Sequence, residues 1–401
     1  MRKRIFNKSH VIVAILLLLM VKMLAEVTSK LSFFDPVQRA IASFSISDIY
    51  YQIQDEESKK IESPFITIVD VSKLYDRGRI AEVIHDINSC QPAVIGFDVI
   101  FEGMKGDTLG SQLLAEAISD IESPIAAFKL CEKDDMGNFT NAIHSFFSET
   151  APMEEGYINL QAVSPEGVIR EMGTWNILNG DTVFSLPYLM AHQLSPSVVY
   201  NQLPKRQRID YTPTKFPVVP YDSVLHYRDL LIKDRIVLLG TVNDVEDMHY
   251  SPLGRTAGSI IQAYTIQTLI EHHHIYEVSL VWNIMITFLV LVFTGIVQQE
   301  ISYRAKRSKH IIIQFLFQSD LIKNVMNFIW MAILMWINFW LFTQSDIYFN
   351  PTIMLVCIAL LVEVRLFYDS GIAAYKEYKK RKKHTKGKNK SKITEKNTIS
   401  Q

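Results

Sequence analysis

Four apolar runs constrain the fold of this chain more than any other feature of its 401-residue sequence. One lies near the N-terminus, within residues 1–26, and three lie in the last third, at residues 280–297, 325–342 and 347–367. Each carries few or no charges over roughly 17 positions or more, a length at which an α-helix can cross a bilayer. The pattern predicts four transmembrane helices, the last three within residues 279–367, with residues 27–278 as one large domain between the first and the second.

The first run is compatible with two interpretations. A basic start followed by a short apolar centre is also typical of a signal peptide. However, no good pair of small residues marks a cleavage position after it, and the run reaches spanning length if the Lys22 side chain extends toward the interface. We therefore favour an uncleaved membrane anchor.

Basic residues predict the orientation of these spans. They lie before the first run, throughout residues 368–401, and between the second and third runs at Arg304, Lys306 and Arg307, whereas the connection between the third and fourth runs has none. Lys and Arg accumulate in cytoplasmic loops. We therefore expect both termini in the cytoplasm, residues 27–278 outside it, and residues 368–401 as a basic disordered tail.

The outer domain reads as alternating strands and helices around residues 93–101, AVIGFDVIF. This run, residues 64–71 and residues 235–240 (RIVLLG) have the length and β-branched content of strands that are buried on both faces of a parallel sheet. Helical patterns lie at residues 77–90, 110–121, 184–193, 222–231 and 258–271, the fourth of them with Asp222 as its N-cap. The sequence predicts an α/β fold with a mostly parallel sheet.

Candidate site residues follow the predicted strands at one edge of the sheet. Asp70 ends the first strand and Asp98 lies near the end of the next, while Asp247 and His249 come after RIVLLG. Because adjacent parallel strands end at the same rim, these side chains are expected to line a crevice that holds a cation or a basic ligand. The alternative is that Asp70 and Asp98 only cap loops by accepting backbone N–H groups.

Other residue patterns exclude several classes of chemistry. The formal net charge of −1 argues against a nucleic-acid partner. The three cysteines have neither metal-ligand spacing nor a disulfide framework, and we favour free thiols at Cys90 and Cys131. The consecutive histidines 272–274 cannot all face one metal, so we interpret them as a solvated helix end. We expect no cofactor and no catalytic residues.

Several stretches occur together in an order that resembles a known family. They are AVIGFDVIFEG, GYINL with VIRE, FSLPYLMA, RIVLLG, and DMHYSPLG followed by AGSIIQAYTIQTLI. In this order, and with one span before and three after, the chain resembles the second type of CHASE domain, the cyclase/histidine-kinase-associated sensory extracellular domain. The DMHYSPLG segment resembles the family pattern at Asp247, His249, Pro252, Leu253 and Gly254.

The resemblance implies a receptor in the cytoplasmic membrane of a bacterium, with its sensor domain facing the periplasm or the exterior. Family members often end in a cyclase or kinase domain, whereas the basic residues 368–401 are too few to form one. We therefore expect a small-molecule or envelope signal, contact with membrane lipids and a separate cytoplasmic signalling partner, and a homodimer is one oligomeric state compatible with the sequence. The rival interpretations are a membrane-bound metal-dependent enzyme that uses the four candidate residues, and a structural or transport subunit.

Overall fold

A computed structural model describes residues 8–28, 45–57, 60–103, 108–148, 153–160, 167–199, 201 and 203–398. The chain divides into two compact units. The outer unit consists of residues 42–277 together with the segment 342–348, and the membrane unit consists of residues 1–41, 278–341 and 349–401.

The outer unit is built on a nine-stranded mixed sheet. Its strands, with the short ones beside them, are β1 (Ile61–Glu62), β2 (Ile66–Asp70), β3 (Val94–Phe97), β4 (Ile125–Lys133), β5 (Phe139–Ile143), β6 (Glu154–Tyr157), β7 (Glu171–Gly173), β8 (Trp175–Leu178), β9 (Asp181–Phe184), β10 (Arg206–Arg208), β11 (Thr214–Lys215), β12 (Val218–Pro220), β13 (Ile236–Gly240), β14 (Met248–Ser251), β15 (Gly254–Ala257), β16 (Tyr276–Glu277) and β17 (Ile347–Tyr348). The sheet order is β12-β2-β13-β3-β4-β5-β8-β9, and β6 also pairs with β4.

The helices are α1 (Lys8–Thr28), α2 (Ile46–Glu57), α3 (Arg77–Ser89), α4 (Thr108–Ser119), α5 (Leu186–Leu194), α6 (Gly258–Ile270), α7 (Leu280–Lys306), α8 (Ile311–Gln318), α9 (Asp320–Ser345), α10 (Thr352–Ala359) and α11 (Leu361–Thr398). In α3, Asp76 is the N-cap and accepts the Arg79 N–H at 2.7 Å. In α5, Ser185 caps the helix and Pro187 lies in its first turn, where a missing N–H costs nothing.

The parallel centre of the sheet agrees with the predicted α/β fold. Strands β12, β2, β13, β3, β4 and β6 pair in parallel, whereas β5 is antiparallel to β4 and β9 to β8. All residues of β3 and β13 are buried because helices cover both faces. On one face Ile84 of α3 packs in a core with Phe97 and Leu239, and on the other Met190 of α5 contacts Gly96. The sheet is therefore parallel in its centre and mixed toward one edge.

Three sequence predictions about the outer unit are wrong in detail. Strands β2 and β3 are not neighbours, because β13 pairs with both. Residues 221–232 form a 3-10 helix (Tyr221–Tyr227) and a π-helical turn (Arg228–Ile232), and the N-cap position is Pro220 rather than Asp222. The sequence also predicts that the strands near GYINL and VIRE pair with each other across a Ser-Pro-Glu-Gly turn. They pair instead with β4 and β10, and that turn lies mostly outside the described residues.

The membrane unit contains three helices long and apolar enough to cross a bilayer, α1, α7 and α9. The prediction of a fourth single helix over residues 347–367 is wrong. That run begins as β17, turns at Asn350 and Pro351, and then forms α10 and the start of α11 with a break at Leu360. The basic tail predicted to be disordered instead continues α11, which extends to Thr398.

Three asparagines explain why this interrupted run is tolerated. Asn283 of α7 donates to the Asn350 carbonyl at 2.8 Å, and Asn338 of α9 donates to the Phe349 carbonyl at 2.8 Å. At the break, Asn327 donates to the Ile358 carbonyl at 2.9 Å. Backbone groups that leave a helix within a bilayer need such replacement partners. The interrupted run also shares an apolar core with α1 and α7.

Gly156 is the position where the fold tolerates a side chain least. A Cβ there would lie 2.5 Å from the backbone of Leu186, at the start of α5. Gly156→Ala should therefore destabilise the protein by about 1–3 kcal/mol, because backbone on both sides must shift. Gly371→Ala is the control, since a Cβ at that position meets nothing within 4 Å. The stability of both variants is measured by thermal melting of the full-length protein in detergent. Equal melting temperatures of Gly156→Ala and the unmodified protein would show that β6 does not pack against α5 in this way.

Candidate functional site

A cavity of about 940 Å³ lies at the carboxyl edge of the parallel strands. Asp98 follows β3 and Thr241 follows β13, and both line it. The β14–β15 hairpin supplies Asp247 and His249, and the first turns of α6 supply Gly258 and Gln262. We call this cavity the crevice. It occupies the position where open α/β sheets commonly bind ligands.

Asp98 is a partly buried carboxyl group in the crevice. Its backbone N–H donates to the Leu239 carbonyl at 2.8 Å, and its Oδ2 accepts the Ser259 hydroxyl at 2.7 Å. Burial raises the pKa of Asp98 to about 7, with the nearby charge of Asp247 adding to the effect, while the Ser259 hydrogen bond and His249 oppose it. The carboxyl group therefore changes from its neutral to its charged form as pH rises through about 7.

Asp247 is fixed beside the start of α6. Its carboxylate accepts the Thr241 hydroxyl at 3.2 Å and lies 3.4 Å from Nε2 of His249. The Gly258 N–H donates to the Asp247 carbonyl at 3.0 Å, and a Cβ on Gly258 would lie 2.7 Å from the carboxylate. Glycine at this helix start therefore permits the close approach of the acidic side chain.

Asp70 does not line the crevice, so the structure brings together three of the four predicted residues. Its carboxylate accepts the Ser72 and Val242 N–H groups at 3.0 and 3.3 Å and the Asn243 side-chain amide at 2.8 Å. Burial alone would raise the pKa of Asp70, but these hydrogen bonds outweigh it and lower that pKa. Asp70 is therefore a loop cap, separated from Asp98 by β13.

The crevice also contains polar residues that the sequence interpretation missed, namely Lys129, Asn159, Glu246 and Gln262. Asn159 hydrogen-bonds both backbone groups of Leu130, at 2.7 and 2.9 Å, and Gln262 donates to the Ile158 carbonyl at 3.2 Å. Asn159 and Gln262 lie within the stretches GYINL and AGSIIQAYTIQTLI that carry the family resemblance, whereas no motif marks Lys129 or Glu246. Among the described residues, no group of three or more His, Cys, Asp or Glu side chains could hold a metal ion.

A second polar cluster joins the segment 342–348 to the rest of the outer unit. We call it the clasp, and it comprises Arg208, Asp210, His273, Glu277, Asp346 and Tyr348. Strands β16 and β17 pair in parallel, with Tyr276 opposite Ile347, and the Tyr276 N–H donates to the Asp346 carbonyl at 2.8 Å. The end of α9 and the first part of its connection to α10 are thus part of the outer unit.

His273 lies between two carboxylates at the centre of the clasp, so the prediction of a solvated histidine run is wrong at this position. Its Nδ1 is 2.5 Å from Oδ2 of Asp210, and its Nε2 is 3.2 Å from Oδ2 of Asp346. The Asp210 hydrogen bond, with the charge of Asp346, raises the pKa of His273 to about 9 despite partial burial. His273 is therefore a cation at neutral pH.

Aromatic and ionic contacts complete the clasp and its surroundings. The Arg208 guanidinium lies 3.3 Å from the Tyr348 ring centre and 3.3 Å from the Glu277 carboxylate. On the neighbouring helix α2, the Asp48 carboxylate accepts hydrogen bonds from Nε and Nη2 of Arg170, at 2.9 and 2.6 Å. The Tyr348 hydroxyl also accepts the Ser45 hydroxyl at 3.1 Å. Ser45 and helix α2 therefore lie beside the segment 342–348 within the outer unit.

The charge on His273 gives the clasp a defined pH dependence. A pKa raised from 6.5 to about 9 stabilises the folded state fully below pH 6.5, and this stabilisation is lost as pH rises through about 9. His273→Gln should lower the melting temperature of the full-length protein by roughly 2–4 °C at pH 6.5. The difference from the unmodified protein should shrink toward pH 10.

His274→Gln is the matched control for this measurement. Burial lowers the pKa of His274, so its imidazole loses its charge at a lower pH than that of His273, and its effect should change little between pH 7 and pH 10. A pH-independent effect of His273→Gln would contradict the ion pairs described above.

Comparison with known families and proteins gives one match. A family model, the CHASE2 domain, covers residues 11–297. No curated protein and no solved structure matches the chain. The matched region includes the whole sheet, the crevice, most of α1 and helices α2 to α6, and it extends into α7. The chain belongs to the CHASE2 domain family, a family of sensory domains.

Proposed function

We propose that this protein is a membrane receptor that binds its signal in the crevice and relays it through the clasp to its membrane helices. The observation that carries the proposal is the course of α6. Its first turns, at Gly258 and Gln262, line the crevice, and near its other end Thr268 accepts the Asp210 N–H at 3.0 Å. One rigid helix of 13 residues therefore contacts both clusters.

The chemistry of the crevice favours a small ligand with a positive charge. Asp98, Glu246 and Asp247 contribute carboxyl groups, against Lys129 and His249 as basic groups. A ligand cation beside Asp98 favours its charged form and so lowers its pKa. Binding of such a ligand should therefore strengthen as pH rises through about 7.

The relay we propose uses two covalent connections to the membrane unit. Strand β16 ends at Glu277 and α7 begins at Leu280, so two residues separate the clasp from a candidate span. The segment 342–348, held by Asp346 and Tyr348, connects α9 to α10. A ligand that displaces α6 would alter the contacts of the clasp. This change would be transmitted to α7 through residues 278–279 and to α9 and α10 through the segment 342–348.

A thermal-shift experiment on the full-length protein in detergent tests the proposal. The probes are putrescine as a cation, lysine as an amino acid and succinate as a dianion. Putrescine or lysine should raise the melting temperature, more at pH 8 than at pH 6, and succinate should not. Asp98→Asn and Asp247→Asn should weaken the apparent affinity about 10-fold, since each removes a charge-assisted contact.

Asp70→Asn is the control, because Asp70 ends a strand at the same edge of the sheet without lining the crevice. Stabilisation by succinate alone would contradict the predicted ligand charge. Stabilisation that persists equally in Asp98→Asn and Asp247→Asn would contradict the crevice as the binding site.

We further propose that both termini lie in the cytoplasm of a bacterium and that α10 with the first turns of α11 supplies a fourth, interrupted crossing. The apolar core that these segments share with α1 and α7 supports this topology, as do the basic flanks.

The basic stretch of residues 298–324 would then be available to a separate cytoplasmic partner. A cytoplasm-specific reporter fused after Lys396 should be active; activity of a periplasm-specific reporter at the same position would contradict the topology and the docking surface together.

A further inference from the structure

A second cavity, of about 200 Å³, lies within the membrane unit. Its lining comes from the beginning of α1 at His10, the beginning of α9 at Lys323, the polar end of α7 at Gln299, and Arg365 of α11. It therefore lies at one end of the candidate spans, where apolar sequence gives way to polar and basic sequence. Lipid headgroups occupy this level of a bilayer.

His10 is a buried hydrogen-bond donor in this cavity. Its side chain is 4% exposed, and its Nδ1 lies 3.1 Å from Nη1 of Arg365. Because a guanidinium only donates, Nδ1 must accept, and the proton of the imidazole is therefore on Nε2. Among the described residues Nε2 makes no hydrogen bond of ordinary geometry, although the Gln299 side chain also interacts with the imidazole. A buried donor of this kind is costly unless an acceptor atom reaches it.

The charges around the cavity select a singly charged acceptor. Arg365 lies 3.3 Å from the Asp369 carboxylate, and Lys323 lies 2.7 Å from that of Asp320. Both carboxylates are about half-exposed, at 58% and 49%, so they disfavour a dianion near the opening of the cavity. A phosphodiester carries one negative charge and several acceptor oxygens, which suits the planar Arg365 fork and the His10 N–H.

Apolar side chains in the cavity favour the phosphodiester of a lipid over a free phosphate anion. Val13, Leu291 and Leu361 line the same cavity beside the polar residues. Free phosphate would leave this apolar surface without a complementary group, whereas a lipid places its glycerol and acyl chains there. The cavity therefore has one side suited to a headgroup and one side suited to hydrocarbon.

We propose that this cavity binds the phosphodiester of a membrane glycerophospholipid, with His10 Nε2 and Arg365 as donors. Gly295 of α7 makes the arrangement possible, because a Cβ there would lie 2.9 Å from Nδ1 of His10. The site is separate from the crevice and does not depend on the function proposed above.

The test uses the full-length protein, delipidated in detergent, with phosphatidylglycerol, phosphatidylethanolamine or inorganic phosphate as the probe. Melting temperature is measured as each probe is added. Either lipid should stabilise the unmodified protein. His10→Phe, which keeps the ring volume but removes the donor, and Arg365→Gln should each weaken the apparent affinity about 10-fold or more. Gly295→Ala should weaken it by displacing His10.

Arg304→Gln is the matched control, because Arg304 lies near the same end of α7, pairs with Glu300 at 2.8 Å and does not line the cavity. It should bind lipid as the unmodified protein does. Stabilisation by inorganic phosphate alone, lost in His10→Phe, would overturn the lipid assignment in favour of a free anion. Lipid stabilisation that is equal in all variants, or absent in the unmodified protein, would overturn the site.

Discussion

The protonated imidazole of His273, held between the carboxylates of Asp210 and Asp346, is the interaction on which our account of this protein depends. Asp210 belongs to the long segment of the outer unit, residues 42–277, and Asp346 belongs to the connection between α9 and α10. A single side chain thereby ties the loop between the candidate span α9 and α10 into the outer unit. Because both partners are anionic, the imidazole retains its proton well above its ordinary pKa.

Helix α6 gives that interaction a functional context. It is buried along nearly its whole length and includes polar side chains such as Gln262 and Thr268, each committed to a hydrogen bond. A helix packed in this way moves as a unit, since cores are close-packed and transmit displacement. In the relay we propose, ligand contact at the first turn of α6 would therefore change the clasp. The lipid site that we propose would add a second point at which the surroundings act on the membrane unit.

Much of this architecture was predictable from local pattern, and the rest depends on long-range pairing. Buried apolar runs identify β2, β3 and β13, and helical periodicity identifies α3 and α6. Sheet order is not a local property, so the position of β13 between β2 and β3 could not be derived. The same limit applies to the sites. The crevice residues were predictable because Asp98, Asp247 and His249 come after predicted strands. The partners of His273 were not, because they are distant from it in sequence. Asn327 likewise shows the break in the fourth run only through its contact with Ile358.

The central claim is that the segment 342–348 packs as part of the outer unit, and a disulfide cross-link tests it most directly. Tyr276 and Ile347 are Cα partners in the β16–β17 pair. Parallel partners lie about 4.8 Å apart, within the range of about 4.4–6.8 Å that a disulfide spans. In full-length protein with its native cysteines changed to Ser, Tyr276→Cys with Ile347→Cys should form an intramolecular disulfide on mild oxidation, detected by mass spectrometry of the linked peptides. Two free thiols after oxidation of the folded protein would contradict the account.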